Sequence, residues 1–331
     1  MILTQEVRYL LEAAGVFTLD GLGHNLGQGL GWIRVTGEDR TRWLNGMVTN
    51  SIQDLKPGEG NYSFVLNAQG RIQGDLYAFA EADALLLETS RAQVPALMAL
   101  LDKFIIMDDV ELADVSLGRF GIGLAGPASP KILERAGLPV HPAIRRTKTL
   151  WDDVEIEVIA TYSPIVPRFE IWGDELSINR LRLVLETAAV AEDGGPVTPE
   201  AIESLRLLEG TPKFGVDIRD RDLPQETAQT RALHFAKGCY LGQEIVERIR
   251  SRGAVHRTFT SFRLKGVLPS PGTSLEVDGK AVGELTSAGS GPIEQIGLGF
   301  VRREFIERQS EILYAGGRAY PLAPSAIAKA S

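Results

Sequence analysis

Lys237, Cys239, Gln243 and Glu244 fall within the eight residues KGCYLGQE, and Cys239 is the only cysteine in a chain of 331. The thiolate is the form of cysteine that attacks electrophiles or binds metal, and nearby cations favour it. Lys237 stands two residues away, and Arg248, Arg250, Arg252 and Arg257 follow. Gly238 and Gly242 permit tight backbone paths, and Gln243 and Glu244 can fix a loop by hydrogen bonds. By type alone a free cysteine is as readily a small buried hydrophobe, so two roles stand open for Cys239. The arginines partly alternate as a strand would. That places several guanidinium groups on one face, either as an anion or partner site or as a solvated face beside Glu247.

Other patterns do not carry chemistry. GLGHNLGQGLG (21–31) spaces its glycines as GxGxxxG and leads into a strand near Trp32, whereas a dinucleotide loop must open a helix. It is expected to be a mobile loop. There is no GxxxxGK[ST], HExxH or CxxC, and the four histidines have no metal spacing, so no metal site is expected. Asp and Glu outnumber Lys and Arg by 43 to 35, which disfavours general binding to nucleic acid or to an anionic membrane. One cysteine forms no intramolecular disulfide, no run of 18 apolar residues occurs, and the N-terminal stretch lacks a secretory pattern. A cytoplasmic protein is expected.

The elements that must position these residues follow from periodicity. MILTQEVRYLLEAAGVF gives an amphipathic helix running into a strand. GWIRVTGEDRTRWLNGMVTN gives a strand and then a helix, and YSFVLNAQGRIQGDLYAF a hairpin turning at NAQG. ALLLETS, AQVPALMALLDKFII and VELADVS complete a first block as strand, helix and strand. RFGIGLAG, PKILERAG, DDVEIEVIA and RFEIWG form a second, followed by the helices ELSINRLRLVLETAA and TPEAIESLRLLEG. After residue 255 short strands cut by glycine and proline predict an all-β unit, a small barrel.

KGCYLGQE followed by RIRSRGAVHR resembles the signature of the YgfZ-type folate-binding proteins, relatives of the glycine-cleavage T-protein that act in iron–sulfur cluster assembly or repair. IRVTGEDRTRWLNGMVTN, YSFVLNAQGRIQGDLYAF, LRLLEGTPKFGVDI and GELTSAG…IGLGFVRRE fall in that family's order, so the resemblance covers nearly the whole chain. It implies an α+β protein of three domains in a ring around a central folate hole, two α+β and the last a β-barrel. The middle domain is inserted into the first. The expected division is 1–50 with 118–245, then 51–117, then 246–331. The resemblance implies tetrahydrofolate as cofactor, iron–sulfur enzymes or cluster-assembly proteins as partners, and no nucleic acid or membrane. It also tips Cys239 and Lys237 toward the working site, with Gly238, Tyr240, Gly242, Gln243 and Glu244 as support. A lone thiolate cannot hold a cluster that takes four protein ligands. Contact with one would use a partner's ligands, a transient mixed disulfide or a persulfide.

Two departures bear on activity. The T-protein has GG-x-x-DD after the hairpin turn, whereas GRIQGDLY places Gly74 where the first aspartate stands and keeps Asp75. Where the T-protein has R-L-E, this chain has RLLEG. Glu209 then lies one residue on, rotated by about 100° on a helix unless the helix ends there. Both weaken the rival expectation, an aminomethyltransferase acting on a lipoyl carrier protein. Whether the chain is an enzyme, a folate-dependent transferase, stays open. A folate site needs a carboxylate or amide for the pterin edge, an apolar slot for the ring and a cation for the glutamate tail. The candidates are Asp75, Asn67 or Glu209, then Tyr62 or Phe64, then Lys237 or Arg248.

Overall fold

The computed structural model describes residues 4–19, 29–141, 144–253, 255–291 and 294–322. The expected glycine-rich loop lies largely outside them. A helix at Gln5–Glu12, capped by Thr4, enters the strand Gly15–Thr18. That strand belongs to a six-stranded sheet with Gly195–Pro196 on one side and, on the other, Phe120–Ala125, Arg168–Gly173, Val154–Ala160 and Arg145–Trp151 in that order. Only the Gly195–Pro196 pairing is parallel; the rest is antiparallel. The helices Ser129–Arg135 and Glu175–Val190 lay Ile132, Leu133, Leu181 and Leu185 on Val16, Ile122, Leu124 and Ile171 of this sheet.

A second sheet runs Gly60–Leu66, Ile72–Ala80, Leu85–Ser90, Leu30–Thr36, Glu111–Asp114, antiparallel throughout. One face packs on the helices Arg40–Met47 and Val94–Asp102 through Ile33, Val35, Val65, Leu76, Leu87, Trp43, Leu44 and Leu97. The residues expected at the end of the first domain thus sit in the second sheet. The strand Leu30–Thr36 has apolar residues on both faces and lies between two strands of that sheet, while Trp43 and Leu44 fill its core. The expected boundary at residue 50 falls inside this unit.

The two sheets meet through Trp32, Phe79 and Leu86 against Ile159 and Trp172, with the two indoles edge to face at 5.3 Å. From Arg257 to Pro321 six strands close into the expected barrel. Arg257 ties it back by hydrogen bonds to Asp222 Oδ1 (2.6 Å) and Glu226 Oε1 (3.0 Å), both carboxylates buried. Buried Asp217 accepts from Thr286 Oγ1 (2.5 Å) and Ser287 Oγ (2.7 Å) of the barrel and from Arg206 Nη1 (2.7 Å) of the helix Pro199–Glu209.

Candidate functional site

The second sheet's other face carries the chemistry. Side chains alternate along a strand, so directly paired residues share a face. Tyr62 pairs with Tyr77, Tyr77 with Glu88 and Glu88 with Trp32, which makes one row across four strands. Beside it Phe64 pairs with Asp75. Tyr62 Oη donates to Asp75 Oδ2 at 2.7 Å and Gln93 Nε2 to Oδ1 at 2.8 Å, while Asp75 N donates to Gln93 Oε1 at 3.1 Å. Both oxygens of the carboxylate are therefore held. Burial pushes the Asp75 carboxyl above its ordinary range, against the hydrogen bonds and the Arg231 charge that pull it down.

Other segments close on this face. Arg231 Nη1 donates to Tyr77 Oη at 2.8 Å, and its guanidinium lies 4.0 Å from the Tyr62 ring centroid and 3.9 Å from that of Tyr162. Glu209 is the last residue of its helix, before Gly210 in the left-handed conformation. It accepts from Ser163 Oγ, and burial raises its carboxyl while Arg168 and Arg231 draw it back. From the first sheet come Glu170 and Arg168, 3.9 Å apart. Burial and then the Glu170 charge raise Glu88 well above a carboxylate's usual range, and burial raises Glu170 as well. Among the described residues, Glu88 Oε2, Trp32 Nε1 and Arg168 Nε are buried without a hydrogen-bond partner. Donors and acceptors left open between two aromatic-lined sheets suit a flat, polar, hydrogen-bonding ligand.

The segment from Arg231 to Leu241 is stitched to the residues after the helix Arg40–Met47. Thr49 Oγ1 donates to Ala232 O (2.6 Å), Asn50 Nδ2 to Arg231 O (2.9 Å), and Leu241 N to Gly46 O (3.0 Å). Lys237 Nζ donates to three carbonyls, Asn45 O (2.7 Å), Val48 O (2.7 Å) and Asn50 O (2.5 Å). Burial pushes its amine down to about 7; the three carbonyls work the other way, since only the ammonium has three donors. Cys239 follows, exposed. Tyr240 is buried against Phe64, Leu66 and Ile72 of the hairpin, and Tyr240 N donates to Gln243 Oε1 at 3.2 Å. Gly242 has φ +81°, and a Cβ there would stand 2.6 Å from Asn67 O, so glycine alone lets the turn meet the motif.

Residues 3–237 match the GCVT N-terminal domain family. The chain belongs to that family. Residues 257–328 match the CAF17 C-terminal β-barrel domain. A putative chloroplastic transferase of Arabidopsis thaliana is 27% identical over 83% of this chain and 64% of its own length, so the chain spans less than two thirds of that protein. The mitochondrial iron–sulfur cluster assembly factor IBA57 of Mus musculus is 27% identical over 86% of this chain and 82% of its own. Among solved structures, the glycine cleavage system aminomethyltransferase T of Bartonella henselae superposes with a TM-score of 0.82 at 21% identity, covering 96% of this chain and 87% of that one, a likeness of fold.

In this member of the GCVT family the expected site residues separate into two groups. Tyr62, Asp75 and Glu209 lie about Arg231, and Glu209 does so because its helix ends there. Phe64 is fully buried, edge on to Tyr62. Asn67 does not reach Asp75. Its Oδ1 accepts from Gln69 N and Arg71 N, both at 3.0 Å, and so shapes the hairpin turn. The arginine run is not one strand: Arg248, Arg250 and Arg252 lie in the helix Gln243–Arg252, whose exposed Arg248 pairs with Glu244 at 2.6 Å, and only Arg257 lies in a strand. Glu244 is engaged in that pair, while Gly238 has open space about its Cα. Lys237 Nζ is engaged by three backbone carbonyls. Sequence reasoning missed Arg231, Gln93, Tyr77, Tyr162, Glu88 and Glu170. Glu88 left a signal, as the one charged residue in the otherwise apolar or neutral strand ALLLETS.

Proposed function

We propose that the chain is a tetrahydrofolate-binding accessory factor for the assembly or repair of iron–sulfur proteins, with Cys239 as its exposed reactive group. The observation that carries the folate part is the doubly held carboxylate of Asp75 beside Arg231 and the tyrosines. Asp75, Glu88, Glu170 and Glu209 offer acceptors to a pterin's N–H edge, Tyr62 and Tyr77 a ring surface, and Arg231 or Arg168 a cation for a carboxylate tail. Bound folate would supply a carrier of one-carbon units. The iron–sulfur part rests on the likeness to the mouse assembly factor and on the barrel match, and its partners would be iron–sulfur enzymes or assembly proteins.

An aminomethyltransferase is the second reading, favoured by the Bartonella fold. Against it, Gly74 supplies no carboxylate beside Asp75, and a Cβ there would lie 2.6 Å from Leu97 Cδ2 and 2.9 Å from Gln93 Oε1, so a larger residue would have to move the side chain that holds Asp75. Calorimetry with tetrahydrofolate tests the first proposal. Asp75→Asn keeps the shape and removes a charge-assisted acceptor, a loss of about 1.5–3 kcal/mol, or roughly tenfold or more in affinity. Equal affinity in parent and variant would remove Asp75 from the site. Release of ammonia from an aminomethyl-lipoyl carrier by the parent would favour the second reading instead.

A further inference from the structure

Away from that face, a second concentration of charge sits where the two sheets adjoin. The strand Arg145–Trp151 of the first sheet runs beside the loop at 81–83 that joins two strands of the second. Between them opens a cleft of about 520 Å³, within the size range of small-molecule sites. Arg34, Arg145, Arg146 and Lys148 bring four positive charges to it and Glu81 and Asp83 two negative ones, on a chain of net charge −8.

The cations are held to different degrees. Arg146 is buried, with Nη1 on Glu81 Oε1 at 2.6 Å and Nε on Glu157 Oε2 at 3.1 Å. Arg146 Nη2 donates to Glu157 Oε1 as well, so Arg146 is fixed between two carboxylates, Glu157 shared with Arg119 and Glu81 shared with Arg34. Arg34 reaches Glu81 at 3.4 Å and Asp83 at 3.2 Å. Lys148 is half exposed, 3.5 Å from Glu155 and 3.9 Å from Glu81. Among the described residues Arg145 has no carboxylate within ion-pair distance. Backbone ties the walls together: Gly58 N donates to Ala80 O and Arg146 N to Gly58 O, both at 2.8 Å.

We propose that this cleft binds a small polyvalent oxyanion, a molecule carrying phosphate or carboxylate groups. Arg145 is its cation without a carboxylate partner among the described residues, Lys148 a half-exposed one shared between Glu155 and Glu81, and Arg34 and Arg146 its fixed ones. Guanidinium forks match the paired oxygens of both groups, and a second cation selects ligands with more than one charge. A chain of net negative charge does not attract such a molecule by its overall field, so a local excess of positive charge on a rigid frame is what holding one requires. None of these side chains contacts Asp75 or Arg231, and the proposal stands whether or not folate binds.

Titration calorimetry on the full chain at low ionic strength, with pyrophosphate and with citrate, tests it and separates phosphate from carboxylate preference. Saturable one-to-one binding of either is expected. Arg145→Gln with Lys148→Gln should weaken it by about tenfold or more, while Asp83→Asn, which removes an exposed opposing charge, should tighten it by about threefold. The barrel pair Arg308→Gln with Arg318→Gln should leave it unchanged. Should the double cleft variant fail to fold, Asp83→Asn alone decides, through the sign of its effect. No saturable binding of either anion by the parent, or an equal loss in the barrel pair, overturns the proposal.

Discussion

Glu88 and Glu170 are buried carboxyls and Asp75 and Glu209 half-buried ones, each raised by its loss of solvent. The folded state therefore holds protons that the unfolded chain releases above about pH 4. By linkage their contribution to stability is fully present below the unfolded values and is lost as pH rises through the raised ones. Groups that weaken the fold at neutral pH and leave Oε2 of Glu88 without a partner point to a ligand rather than to packing. Glu88→Gln should raise the melting temperature more at pH 8 than at pH 4.5, as thermal unfolding at the two values will show. An equal change at both would mean that the Glu88 carboxyl titrates alike in the folded and unfolded chain. Cys239 obeys a different logic, because it is exposed. Cys239→Ser should change stability by less than about 0.5 kcal/mol, yet remove support of iron–sulfur enzymes in cells lacking the parent. Iodoacetamide should modify the folded parent to completion, and a thiol that reacts only on unfolding would place Cys239 in the core.

At the scale of elements, the hairpin at 60–80 and the motif segment form one device. Tyr240 packs on Phe64, Leu66 and Ile72, and the turn at Asn67 abuts Gly242. The hairpin was legible because its apolar alternation and NAQG turn are local signals. The helix Gln243–Arg252 was not. Its arginines recur at 248, 250 and 252, with Arg257 beyond its end, and a partial period of two outweighed the helical pairs Glu244–Arg248 and Glu247–Arg250 that the structure forms. Arg231 was hidden for another reason. Its position over Tyr62 and Tyr162 depends on strands remote in sequence, and nothing near it marks it. The glycines separate these cases by experiment. Gly242→Ala puts a Cβ at positive φ against Asn67 O and should cost more than about 1 kcal/mol, loosening the loop that carries Cys239. Gly238→Ala has open space and should be near neutral. Equal denaturation midpoints for the two would show that the turn and motif are not tightly joined.

Across the whole molecule, the barrel and the strand-rich blocks could be foreseen because composition and turn chemistry change near residue 255. The membership of residues 30–47 could not. A strand's sheet partners are set by long-range pairing, and Trp32, Ile33 and Val35 would suit either sheet. The contacts between units are similarly invisible in sequence, and ionic ties stand beside the apolar ones. Arg257 joins Asp222 and Glu226 while its guanidinium lies 4.6 Å from the Phe300 ring centroid, so one side chain links the barrel to the segment between Asp217 and the motif. Both carboxylates are buried, and removing the cation leaves them uncompensated. The cost of such a broken pair is about 3–5 kcal/mol, and the partial exposure of Arg257 sets the expectation at the lower end. Arg257→Ala should therefore weaken docking of the barrel more than the barrel itself, whose core of Phe262, Leu275, Leu285 and Val301 is untouched. Calorimetry should show the parent's unfolding split into two transitions in the variant. A single transition at the parent's temperature would assign the docking to Leu207 and its contacts with Phe259, Leu298 and Phe300 instead.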